Sequence, residues 1–114
     1  MRKSEGRVRD EAAARLAAGV AAFALNVSDE ELLAETRGSA EVAFARQVAA
    51  YLCHTAFEMS LSRVANAFAR DRSTVAHACH LIEDRRDEAQ FDRWIASLEA
   101  MLRDAPAPAR AVSA

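Results

Sequence analysis

Few of the 114 residues carry groups able to do chemistry, and most stand at spacings that defeat it. Cys53 is followed directly by His54, the two residue types that a thiol nucleophile and its base require. On a helix such neighbours project about 100° apart, so they do not converge. His77, Cys79 and His80 are metal-competent, but on a helix Cys79 points one way and the two histidines the other. No metal site is expected. The acidic clusters Asp29-Glu30-Glu31 and Glu83-Asp84 read as solvated helix termini. One run is different. Arg70-Asp71-Arg72-Ser73-Thr74, with His77 one turn on, gathers guanidinium forks and short hydroxyls at the start of a helix. Arg forks suit phosphates and the O6/N7 edge of guanine, and Ser and Thr hydroxyls suit either base edges or phosphates.

Such a run works only if a helix presents its first turn outward, and the surrounding pattern supplies one. Val75, Ala78, Cys79 and Ile82 cluster on one face, which leaves Ser73, His77 and His80 on the other. Before it, Ser60 can cap a helix whose inner face is Leu61, Val64, Ala65 and Phe68. A tight break at Ala69–Arg72 separates the two, with small Ala65 and Ala69 where backbones must approach. Leu61 to Ile82 therefore reads as a helix-turn-helix. The bland alternative is an αα-hairpin with Asp71 as an N-cap and Arg85 and Arg86 as a solvated helix end.

The remaining elements form the support. Val8, Ala12, Leu16, Val20 and Phe23 recur at helical spacing and predict a first helix over about Asp10 to Leu25, with Gly19 tolerated inside. Ser28-Asp29-Glu30-Glu31 is a capping box that opens a short helix expected to stop at Gly38. Val42, Ala45, Val48, Ala49, Leu52 and Ala56 stripe the longest inner helix, the expected spine. Phe91, Trp94, Ile95, Leu98, Met101 and Leu102 stripe the last.

Composition agrees. Twenty-eight residues are Ala against three Gly and two Pro, which favours an all-α fold. The expected architecture is one domain of about six helices over 10–103, with a flexible N-terminus (1–9) and a disordered tail (104–114). The apolar run Leu16 to Leu25 is too short to span a bilayer, and the charged N-terminus is no signal peptide, so a cytoplasmic, nucleoid-associated protein is expected. Cys53 and Cys79 should stay reduced. Net charge is −2, so any nucleic-acid function must rest on a local patch. Fourteen of the fifteen basic residues are Arg, which fits a GC-rich coding genome as well as phosphate recognition.

Val27 to Leu102 resembles the C-terminal DNA-binding domain of the bacterial replication initiator DnaA. That family opens its central helix with an Arg-Gln pair, matched by Arg46-Gln47 within Ala45 to Leu52. Its signature, approximately G-G-R-D-H-T-T-V-x-H-A-x-x-x-I, is matched by Arg70, Asp71, Thr74, Val75, His77, Ala78 and Ile82. Ala69 replaces the two turn glycines, and Arg72 and Ser73 stand where the family has His and Thr. The family's basic loop before the central helix is here T-R-G-S-A-E, with Arg37 its only cation.

The resemblance implies sequence-specific binding of double-stranded DNA at DnaA-box-like sites, modulating the initiation of chromosome replication. On that reading Arg72, Ser73, Thr74, His77 and Asp71 meet bases, while Arg37, Arg46, Gln47, Arg63 and Arg70 meet phosphates or the minor groove. No G-x-x-x-x-G-K-[ST] phosphate loop occurs, so a stand-alone relative without the ATPase is expected, with no enzymatic activity and no cofactor. A monomer is expected. The alternatives are a protein-binding regulator of the initiator or its inactivator, with a degenerate DNA face, or a small transcriptional regulator.

Overall fold

The computed structural model describes residues 4–35 and 38–104. The described residues form six helices: α1 (Glu5–Leu25), α2 (Asp29–Leu33), α3 (Ala40–Thr55), α4 (Leu61–Phe68), α5 (Arg72–Arg85) and α6 (Ala89–Asp104). Arg37, residues 1–3 and residues 105–114, for which a minor-groove contact and flexible ends were expected, lie outside the described residues.

Serine starts four of these helices. Ser4, Ser28, Ser39 and Ser60 each accept a hydrogen bond from the amide three residues on, satisfying one orphan donor of the first turn. Ser4 sets the start of α1 at Glu5, so residues 5–9 are helical rather than frayed. In the α2 box, Glu31 reaches back to the Ser28 hydroxyl, which donates to its carboxylate at 3.1 Å. This helix ends at Leu33, with Ala34 extended, well before Gly38.

α3 is the spine. Its expected stripe is buried throughout, and Ala50, Tyr51 and Cys53 join it. Against it lies α1, by a face that the apolar stripe of the sequence only borders, with Leu16 and Val20 half-buried against the core. The buried residues of α1 are Ala13, Ala14, Ala17, Ala18, Ala21 and Ala22, whereas Phe23 is 85% and Val8 48% exposed. Methyl side chains let the two backbones come close, so the Cys53 thiol donates to the Ala13 carbonyl at 3.8 Å. Close approach, not side-chain size, chose the inner face.

The helix-turn-helix forms as expected. Val64 and Ala65 of α4 and Val75, Ala78, Cys79 and Ile82 of α5 are buried, with Leu61 and Phe68 half-buried. α4 ends in a Schellman turn: the Arg70 amide donates to the Ala65 carbonyl at 2.9 Å and the Ala69 amide to Asn66 at 3.3 Å. Ala69 takes the left-handed conformation (φ 54°) that glycine would take without strain.

α6 closes the core with Phe91, Ile95, Leu98 and Leu102. Met101 turns out to solvent, and Glu99 is buried in its stead, only 5% exposed. The reason is Arg86. Its Nη1 donates to Glu99 at 3.0 Å and to the Tyr51 hydroxyl at 3.1 Å, and its Nε to Asp92 at 2.5 Å. Tyr51 in turn donates to Glu83. Burial alone would lower the Arg86 pKa, but its hydrogen bonds outweigh that and hold it above the ordinary range. Neither Arg86 nor Glu83 is therefore a simply solvated helix end. Arg85 does stand at the surface, laid over the rings of Phe91 (4.1 Å) and Phe44 (5.2 Å).

Candidate nucleic-acid interface

The site is built by the first turn of α5 and the flank of α3. With Val75, Ala78, Cys79 and Ile82 locked inward, the 3.6-residue period turns Arg72, Ser73, Thr74 and His77 outward, and all four are exposed. Asp71 holds the N-cap position with extended backbone, and its side chain makes no capping bond. Its carboxylate is exposed too.

Beside this turn runs a cleft of about 400 Å³ between α3 and α5. Arg46 and Gln47 line it from α3, Arg70 from the turn, Thr74 and His77 from α5, and Glu35 from beyond the end of α2. Five of the ten residues singled out in the sequence thus meet in one place.

Two of the five also carry structure. Arg46 Nε donates to the Leu32 carbonyl at 2.8 Å and Nη2 to Glu31 at 3.1 Å. Arg70 donates to Ala34 at 2.7 Å and to Glu35 at 3.1 Å. Two guanidiniums therefore converge on the carbonyl end of α2, where the helix dipole and its unsatisfied acceptors favour cations. Burial, and then the charge of Arg70, push the Arg46 pKa below its ordinary value. The pair of like charges is held together by backbone oxygens.

Arg63 is elsewhere. It faces α1, where its guanidinium forks onto Asp10 at 2.6 and 3.0 Å. The structure does not bring it to the α3/α5 cleft. Glu35, which accepts from Arg70 through its carbonyl, had no signal in the sequence pattern. Glu99 had one, since it sits between Ile95 and Leu102 on the apolar stripe of α6.

Other reactive groups are sequestered. Burial pushes the Cys53 thiol up to about 12 and Cys79 to about 11. His54 Nδ1 donates to the Met59 carbonyl at 2.8 Å, away from Cys53. Among the described residues, no three His, Cys, Asp or Glu side chains gather as a metal site, and no helix is long and apolar enough to cross a membrane.

The family model for the bacterial dnaA protein helix-turn-helix matches residues 13–82, from α1 through α5. The chain belongs to that family. Chromosomal replication initiator protein DnaA 1 of Chlamydia pneumoniae is 38% identical over 66 residues, 58% of this chain and 14% of that protein. DnaA of Pseudothermotoga lettingae is 40% identical over 84 residues, 68% of this chain and 19% of that protein. This chain thus spans under a fifth of these curated relatives. Among solved structures, a DNA replication initiation factor superposes with a TM-score of 0.74 at 28% identity, over 84% of this chain and 30% of that one. The replication initiator DnaA bound to AMPPCP and single-stranded DNA gives 0.71 at 28% identity, over 88% and 31%. The family match begins within α1, upstream of Val27, so the alanine-faced helix belongs to the shared domain.

Proposed function

We propose that this chain binds double-stranded DNA in a sequence-dependent way and tunes the initiation of chromosome replication from the nucleoid. One observation carries the reading: in a DnaA-type helix-turn-helix, Arg72, Ser73, Thr74 and His77 stand exposed on the first turn of α5, which buried residues hold outward. A helix presented in this way enters the major groove by its N-terminal end. Arg72 is the fork for guanine, Ser73 and Thr74 supply hydroxyls, and His77 reaches one turn deeper. Arg70, Arg46 and Gln47 flank the groove wall, where the two guanidiniums set positive charge beside the phosphate path. Arg37 and Arg63 remain proposed phosphate contacts, and Asp71 a proposed base contact.

A gel-shift series on DnaA-box and scrambled duplexes at low salt tests this. Preferential retardation of the box duplex is expected, and no retardation of any duplex overturns the reading. In cells, deletion and overproduction should both move the number of origins per cell. Unchanged counts in both would leave a transcriptional regulator as the better description.

A second reading has its own support. Arg63 is neutralised by Asp10, Glu41 stands exposed at the start of α3, and net charge is −2. These features suit a domain that binds a replication-initiation protein instead of DNA. Arg72→Ala with His77→Ala separates the two, because both side chains point outward and the fold should persist. Loss of the effect on origin number supports DNA; retention, with recovery of an initiation protein in a pulldown, supports the partner.

A further inference from the structure

We infer that α1 pairs with α1 of a second copy of this chain, in antiparallel orientation, through the face opposite its buried alanines. The observation is the outer part of the apolar stripe on α1. Ala12, Leu16, Gly19 and Phe23 follow the 4-3-4 spacing of a helix–helix seam, and they point away from Ala14, Ala17 and Ala21. Phe23 is 85% exposed, Ala12 and Gly19 are half-buried, and Leu16, also half-buried, touches the core with part of its side chain. A Cβ added at Gly19 would meet nothing within 4 Å, so the described chain leaves the space beside Gly19 open.

The order small, large, small, large decides the occupant. Run antiparallel against itself, it places Phe23 over Ala12 of the second copy and Leu16 over its Gly19, and by symmetry the reverse. Each bulky side chain then meets a small one, the fit that close helix packing needs. A parallel pair would set Phe23 on Phe23 and Gly19 on Gly19, leaving a clash and a void.

Charge selects the same orientation. The first turns of α1 carry Arg7 and Arg9, and just past its far end α2 opens with Asp29 and Glu30; all four are exposed. Antiparallel pairing brings the basic end of one copy to the acidic start of α2 in the other. Glu5, Asp10 and Glu11 are the charges of the wrong sign there; Glu11 is ion-paired with Arg7 at 3.8 Å and Asp10 with Arg63, so Arg9 carries the match. The seam covers only about two heptads, so the dimer should dissociate in the micromolar range, departing from the monomer expected above.

Sedimentation equilibrium on the full chain, across micromolar concentrations, tests this. Reversible monomer–dimer behaviour is expected. Gly19→Leu fills the hole at a position with open space around it, so the helix should be kept or strengthened while dimerisation is lost. Phe23→Glu should also give a monomer with unchanged circular dichroism. Arg9→Glu should weaken the dimer, and Arg9→Glu with Glu30→Arg should restore it. A monomer at every concentration overturns the inference, as does a dimer that survives both Gly19→Leu and Phe23→Glu.

Discussion

Arg63 on α4 clasps Asp10 on α1 through two parallel hydrogen bonds, Nη2 to Oδ1 at 2.6 Å and Nε to Oδ2 at 3.0 Å. A cation of the helix-turn-helix, one that the sequence reading sets on phosphate or in the minor groove, is thereby tied to the supporting helix. The Arg63 hydrogen bond holds the Asp10 carboxyl below its usual range. A depressed carboxylate contributes stability above its unfolded pKa of about 3.9 and loses it as pH falls through the folded value. Because the Arg63 side chain is 53% exposed, the pair should contribute no more than about 1 kcal/mol. Asp10→Asn should therefore cost that little in urea unfolding at neutral pH, and nothing once the wild-type carboxylate is protonated. The same substitution releases Arg63, so DNA affinity should rise or stay equal. A drop in affinity at unchanged stability would remove Arg63 from the phosphate set.

Arg86 and Glu99 are a different matter, since both are largely inside. Arg86→Met leaves the Glu99 carboxylate buried without its cation, a loss of about 3–5 kcal/mol in chemical denaturation. Arg86→Met with Glu99→Leu should recover much of that, because apolar residues of similar volume replace a buried pair at little cost. Tyr51→Phe removes one donor and should cost about 1 kcal/mol. If the single and double substitutions are equally destabilising, the network is not what fixes α6 against α3 and α5.

The contrast between these two pairs explains what the sequence could disclose. α4 and α5 were legible because large apolar residues recur sharply against polar neighbours, and a known signature covers α5. The inner face of α1 was not, because its six buried alanines barely differ in hydropathy from their surroundings, while Val8 and Phe23, both exposed, stand out more boldly. The end of α2 was equally hidden. Its last carbonyls are taken by Arg46 and Arg70, which lie 14 to 36 residues further along the chain, so the stop is made by tertiary contacts and not by Gly38. Within the candidate site, the outward set on α5 followed from its inward set. The structural duties of Arg46 and Arg70 are tertiary and left no local trace.

The thiols give a simple check on the core. With Cys53 pushed up to about 12 and Cys79 to about 11 by burial, neither is a thiolate at pH 8. Ellman's reagent should report no accessible thiol in the native protein and two after unfolding in guanidinium. Rapid native labelling of either one would mean that α1 or α5 opens easily from α3.

Ala69 tests the turn that aims the recognition helix. Its φ of 54° places Cβ against the following carbonyl, a strain of about 1–2 kcal/mol that glycine escapes. Glycine loses part of that gain through its freer unfolded chain, so Ala69→Gly should stabilise by about 0.5–1 kcal/mol. Ala69→Val should destabilise. A thermal melt that moves the other way would place the strain outside the turn.

The loop before α3 offers the sharpest comparison on DNA. Two substitutions add positive charge at its edge, and the structure separates them. Glu41 is exposed in the first turn of α3, so Glu41→Arg reverses a charge near the proposed phosphate path without disturbing packing. Its cost is a weaker interaction with the helix dipole, about 0.3–1 kcal/mol. Gly38 looks just as open in the sequence, yet its φ is +73° and an added Cβ would lie 3.1 Å from Val42 Cγ1. Gly38→Lys should therefore cost about 1–2 kcal/mol of stability from backbone strain before any gain in charge is felt. In gel shifts, Glu41→Arg should tighten binding on box and scrambled duplexes alike and steepen the dependence of log affinity on log salt by about 1 to 2. Arg72→Ala should instead weaken the box duplex by about 1–3 kcal/mol, with little effect on scrambled sequence or on stability. If Glu41→Arg leaves affinity unchanged while Arg72→Ala still abolishes preference, the DNA backbone runs elsewhere, and the start of α3 is not part of the interface.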